Sequence, residues 1–102
     1  MSDYPSEQTL KLIREWDILK NGIKPLVAIV MDVWHWEDYR ILKGNKLQLH
    51  TGGWSGNEDI IQALHQNKYF WMVCWLMEKR SGHYWFNVSE IKKNKQGDIK
   101  CR

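Results

Sequence analysis

The chain reads as an α+β protein, with two helices packed on a mostly antiparallel sheet of about five strands in the order α-β-β-β-α-β-β. Three patterns lead there. Leu12, Ile13, Trp16 and Leu19 recur at helical spacing near the start. Two runs, residues 26–31 and 69–77, are apolar on both parities, the mark of strands covered on both sides. Residues 46–51 alternate, with Leu47, Leu49 and Thr51 on one face and Gln48 and His50 on the other.

The elements follow in order. Ser6 is placed to cap a helix beginning at Glu7, and Asn21-Gly22 stops it, with Lys20 suiting its C-terminal dipole. Pro25 opens a strand from Leu26 to Trp36, a turn follows at Glu37-Asp38, and Tyr39 to Leu42 returns as the next strand. Lys43-Gly44-Asn45 makes a tight turn into the third strand, Lys46 to Thr51. Ser55 and Glu58 then form the S-x-x-E signature of a capping box, opening a second helix that buries Ile60, Ile61 and Leu64 and ends at Asn67. Tyr69 to Met77 and His83 to Ser89 form the last two strands, joined by a turn with Ser81-Gly82 at its tip. In the last strand Tyr84, Phe86 and Val88 oppose His83, Trp85 and Asn87. Residues 1–90 thus form one domain, and 91–102 a basic tail expected to fray.

Composition narrows the function. The chain has 102 residues, enough for one domain with a core of its own. Seven of them are tryptophan, more flat aromatic area than such a core encloses, so some indoles are expected to line a groove or a partner surface. The net charge of +3 is uneven. Lys92, Lys93, Lys95, Lys100 and Arg102 against Asp98 put +4 in the tail, leaving a nearly neutral body. A specific duplex-DNA binder carries its cations on a folded face, so that class is not expected. The two cysteines, Cys74 and Cys101, show neither disulfide nor metal spacing, and a cytoplasmic location is the natural expectation. No run reaches the length of a membrane span, and residues 1–5 lack the features of a signal peptide.

The candidate site centres on the strand–turn–helix from His50 to Asn57. Gly52 and Gly53 permit positive φ or a close ligand approach, and the helix start offers free N–H groups to an anion. Glu58 and Asp59 oppose such an anion, and a simple turn explains the glycines equally well. Trp54 lacks an apolar partner at Asp59 for a hydrophobic staple, so its indole packs elsewhere or stands in a cleft where it stacks on a planar ligand. Ser55 sits where a nucleophile elbow would place its serine, but Asn57 breaks the G-x-S-x-G pattern. Arg80 suits a phosphate or carboxylate. His50 and His83 meet if their strands end on the same side, and two donors beside an indole suit an anionic ligand. The expected ligand-binding residues are therefore His50, Gly52, Gly53, Trp54, Ser55, Asn57, Arg80 and His83. Trp34 and Trp36 flank His35 at a strand end and are expected to touch a partner. No catalytic or metal-binding set is legible, and no cofactor is implied, although a small hydrolase or nuclease using His50 or His83 stays open.

The stretch His50 to Glu58, the Phe70-Trp71 strand and the Gly82-His83-Tyr84 turn resemble small uncharacterised proteins encoded by bacteriophages and prophages. The likeness spans about half of the chain and carries over no functional residue. It implies at most a phage origin and action in the host bacterial cytosol, and small phage proteins of this kind include inhibitors of host defence. The leading expectation is a non-catalytic binder that sequesters a small anionic or nucleotide-like ligand. The alternative is an inhibitor or adaptor that binds a host defence protein through exposed tryptophans, in the manner of anti-CRISPR proteins. A homo-oligomer would help cover spare aromatic surface.

Overall fold

A computed structural model describes residues 4–89, 92–93 and 99–100. Helix α1, Glu7–Glu15, begins as expected, because the Ser6 hydroxyl accepts from the Thr9 N–H at 3.0 Å. It ends a turn and a half earlier than the apolar spacing implies. Asp17 caps a separate short helix, α2 (Ile18–Asn21), its carboxylate accepting from the N–H groups of Leu19 and Lys20. The Trp16 indole swings back to donate to the Gly22 carbonyl at 2.8 Å. The shared face fails accordingly: Ile13 is buried, whereas Leu12 and Leu19 are exposed.

The expected strand Leu26–Trp36 is a helix. Helix α3 spans Lys24–Val33, and Pro25 occupies its first turn, where a missing N–H costs nothing. Leu26, Val27 and Val30 are its buried side chains, joined by Trp34 at its C-cap, and Ala28 and Asp32 are exposed. Those burials repeat at helical spacing, which a run apolar on both parities conceals. A 3₁₀ turn, Glu37–Tyr39, leads into the sheet.

Strands β1 (Arg40–Lys43) and β2 (Lys46–His50) form the expected hairpin around Gly44, whose φ is +58°. Helix α4, Ser55–Gln66, buries Ile60, Ile61 and Leu64 and ends at Asn67. The first part of the expected strand Tyr69–Met77 is again helical, as α5, Lys68–Cys74. Phe70 and Cys74, one helical turn apart, are buried, while Met72 is 74% exposed. Asn67 makes this second helix possible. Its side-chain oxygen accepts from the Phe70 N–H, and its amide donates to the Ile13 and Trp16 carbonyls at the end of α1.

Strands β3 (Trp75–Lys79) and β4 (His83–Asn87) complete an antiparallel sheet of order β1-β2-β4-β3. The α+β class and the antiparallel sheet stand; among the described residues there are five α-helices and a four-stranded sheet, against the two helices and about five strands expected. In the tail, Lys92–Lys93 (β5) pairs antiparallel with Ile99–Lys100 (β6), and the other tail positions lie outside the described residues.

One sheet face carries the core. Leu47, Leu49, Phe86 and Val88 point into it and meet Ile13, Leu26, Val30, Ile60, Leu64 and Phe70 from the helices. Phe70 and Phe86 touch at 5.4 Å between ring centres. Emptying such a position, as in Phe86→Ala, removes about 3–5 kcal/mol of stability. The intervening strand residues lie on the opposite face and are half-buried or exposed.

Candidate functional site

Two turns meet at one end of the sheet. The Thr51 N–H donates to the Gly82 carbonyl at 2.9 Å, which locks the Gly52-Gly53 turn against the Ser81-Gly82 turn. Gly82 has φ +79°, and a Cβ there would fall on the Thr51 hydroxyl, so the approach requires glycine. On the core side of this junction lies a cleft of about 730 Å³, lined by Gly52, Gly53, Glu58, Ile61, Gln62, Ser81 and Tyr84, among others. Burial, then the Glu78 and Glu58 carboxylates, raise the Tyr84 phenol above its ordinary pKa. Glu58 is the charged residue in the cleft lining.

On the other side of the same junction, His50 and His83 are register partners, as their shared strand end requires. Their Nδ1 atoms are 2.7 Å apart. One ring donates its Nδ1 proton and the other accepts, leaving both Nε2 atoms for other partners. Burial first, and His83 second, lower the His50 pKa. Trp85 lies perpendicular to His50 with ring centres 5.9 Å apart, and the Lys79 ammonium sits 5.7 Å from the Trp85 ring centre.

These residues belong to three cross-strand rows on the face away from the core. Lys43, Lys46 and Asn87 form the first row, and Ile41, Gln48, Trp85 and Met77 the second. His50, His83 and Lys79 form the third. No position in the rows is acidic, and two end in lysine. The face thus offers one large π surface between cationic ends, beside a histidine pair whose free Nε2 atoms are one donor and one acceptor while both rings are neutral.

The other expected site residues divide. Gly52 and Gly53 line the cleft. Gly52 also makes room for the Trp36 and Tyr39 rings, which a Cβ would strike. Trp54 stacks on His35 at 4.3 Å and lies beside Tyr4 at 4.8 Å, half-buried, with its ring over Gly56. The expected capping box does not form. Trp54 itself holds the N-cap position, and the Ser55 hydroxyl bonds the Tyr4 hydroxyl at 2.6 Å. Asn57 is fully buried. Its oxygen accepts from the His35 N–H, and its amide donates to the His35 and Thr51 carbonyls. Arg80 is exposed at the tight turn, outside the cleft lining.

The expectation that Trp34 touches a partner is corrected: it is 5% exposed and belongs to the core, because the segment is helical and turns it inward. Trp36 remains outside at 45% exposure, held at φ +67° beside Tyr39. Of the seven tryptophans Trp34 alone is enclosed, so surplus aromatic surface does reach the exterior.

Sequence reasoning passed over Lys43, Lys46, Gln48 and Lys79. The alternation of β2 and β4 was legible, and laying the two strands side by side brings Gln48 opposite Trp85. Lys79 was hidden by the misplaced strand before it. Among the described residues, no group of three His, Cys, Asp or Glu side chains is placed to hold a metal ion. Nor is any helix there long and apolar enough to cross a membrane. No family model, curated protein or solved structure matches the chain.

Proposed function

We propose that the protein is a non-catalytic binder of a flat, anionic, nucleotide-like ligand, which it takes on the sheet face that carries His50, His83 and Trp85. The observation behind this reading is the paired histidines beside an indole, in rows that hold lysines and no acid. A base stacks on Trp85, while the phosphate takes the free Nε2–H of the histidine pair and the Lys79 ammonium. The Gly-rich turn fixes the strand ends that bring the histidines together. The phage-like texture of the sequence supports sequestration of a defence signal in a bacterial cytosol as the setting.

Calorimetry against linear and cyclic nucleotides tests this. At least one class should bind, and Trp85→Ala should weaken it by about tenfold, the usual loss for one stacked base. Flat traces across the whole set would sink the reading.

A second reading has its own support in Trp36, exposed and held at positive φ beside Tyr39, Glu37 and Asp38. Backbone strain of this kind concentrates at contact sites. There the protein would anchor a host defence protein. Trp36→Ala should then abolish recovery of a stoichiometric partner from bacterial lysate and leave nucleotide binding intact.

A further inference from the structure

The two lysine-bearing ends of the sheet face stand too far apart for one small ligand. Lys46 and His50 are four residues apart on one strand, about 13 Å by strand rise. Phosphates on one stacked strand follow each other at about 3.4 Å, and even at twice that spacing the gap holds about two nucleotide steps. A mononucleotide on Trp85 reaches the His50–His83–Lys79 row and leaves Lys43 and Lys46 unused. Those two lysines are direct register partners, and like charges opposed across a ladder repel. An anion between them relieves that repulsion.

Resting on the ligand reading above, we propose that the natural ligand is a single-stranded nucleic acid. Its backbone runs along β2 and β4 from the histidine row to the lysine pair, with one base on Trp85 between them. The face selects single strands because its stacking surface needs an unpaired base, which a duplex withholds. The charge fits as well, since the phosphates meet cations at both ends and no carboxylate between.

The test uses the full chain, fluorescence anisotropy and labelled oligonucleotides of one to six nucleotides, in DNA and RNA forms. Affinity should rise at least tenfold from one to four nucleotides and then level off. The slope of log K against log salt should be about −2 for the tetranucleotide, given three lysine contacts at about 0.7 each. The K43Q/K46Q double variant lies on an exposed hairpin and should reduce that slope by about 1.4, while mononucleotide affinity stays unchanged. Trp85→Phe, which keeps a ring for packing, should weaken every length alike.

Mononucleotide binding with no gain in length overturns the polymer proposal and leaves the small-ligand reading standing. Absence of binding at any length overturns both. Tighter binding to duplex than to single strand overturns it too. So does tetranucleotide binding that survives K43Q/K46Q, which would assign the contact to the basic tail. Capture of a protein by this face, with no oligonucleotide bound, would give the surface to a protein partner and defeat the proposal.

Discussion

Replacing Asn57 by alanine removes a buried side chain that joins the end of α3 to the loop before α4. The amide oxygen accepts from the His35 N–H at 2.9 Å, and the amide nitrogen donates to the His35 carbonyl at 3.1 Å. A longer contact reaches the Thr51 carbonyl at 3.4 Å, which already accepts from the Trp54 N–H at 3.1 Å. In Asn57→Ala the Thr51 oxygen keeps its partner, and the two His35 groups lose theirs. Each orphaned backbone group costs about 1–3 kcal/mol. His35 is only half-buried, so water recovers part of that, and the expected loss is about 3 kcal/mol. For a domain of this size the melting temperature should fall by about 12–24 °C. Urea denaturation followed by tryptophan fluorescence measures the first quantity and a thermal melt the second. Asn57→Asp keeps the acceptor but loses the donor and buries a charge, so it should not rescue stability. A loss below about 1 kcal/mol would refute the reasoning. Unchanged stability with lost nucleotide affinity would also refute it, and would return Asn57 to direct ligand binding.

Two glycines with positive φ should respond differently. Gly82→Ala meets both the left-handed backbone and the Thr51 hydroxyl, so it should cost about 2–4 kcal/mol by urea denaturation. Gly44→Ala has open space around it and should cost about 1 kcal/mol; equal losses at the two sites would be the wrong result. The His50 pKa lies below the ordinary 6.5, so the unfolded chain takes up a proton that the folded protein resists. Stability should therefore decline as pH falls through 6.5, and His50→Gln should flatten that decline in pH-dependent melts. A bound anion favours the protonated ring, so nucleotide affinity should rise from pH 8 toward pH 6, and calorimetry showing the opposite slope would count against the histidines as phosphate contacts.

The parts of the fold legible in the sequence are those where period and punctuation agree. Ser6 caps its helix, Gly44 turns its hairpin, and the alternation of Leu47 and Leu49 against Gln48 and His50 marks a sheet with two unlike faces. The meeting of His50 with His83 was readable for the same reason, since both sit at ends of regular strands. The misreadings share a cause. Residues 26–31 and 69–74 are apolar on every side, so neither period stands out, and side chains favoured in strands sit in short helices that tertiary packing stabilises. Asp17 and Asn67 were the missed signals. Asp17 begins a new helix where a continuous one was expected, and Asn67, read only as the end of α4, also caps the start of α5 where a strand was expected. Trp34 follows from that error: on a strand end it would share a face with Trp36, but after a helix it turns into the core.

The two sides of the strand end are chemically opposite, and that contrast decides between the glycine-rich turn and the sheet face as the place for an anion. The cleft behind the turn is the larger concavity, and its glycines first suggest a phosphate cradle. Its charged lining residue is Glu58, however, and the Tyr84 phenol in its wall is raised above its ordinary pKa by burial first and by the Glu78 and Glu58 carboxylates after it. A phosphate entering the cleft meets the like charge of Glu58. The glycines have a sufficient reason without any ligand: Gly52 clears the rings of Trp36 and Tyr39, and Gly82 clears Thr51. Across the sheet, the same backbone lock that demands those glycines sets His50 against His83 and puts Lys79 in their row. The turn thus acts on an anion through the register it imposes, and the contact itself falls to side chains on the opposite face.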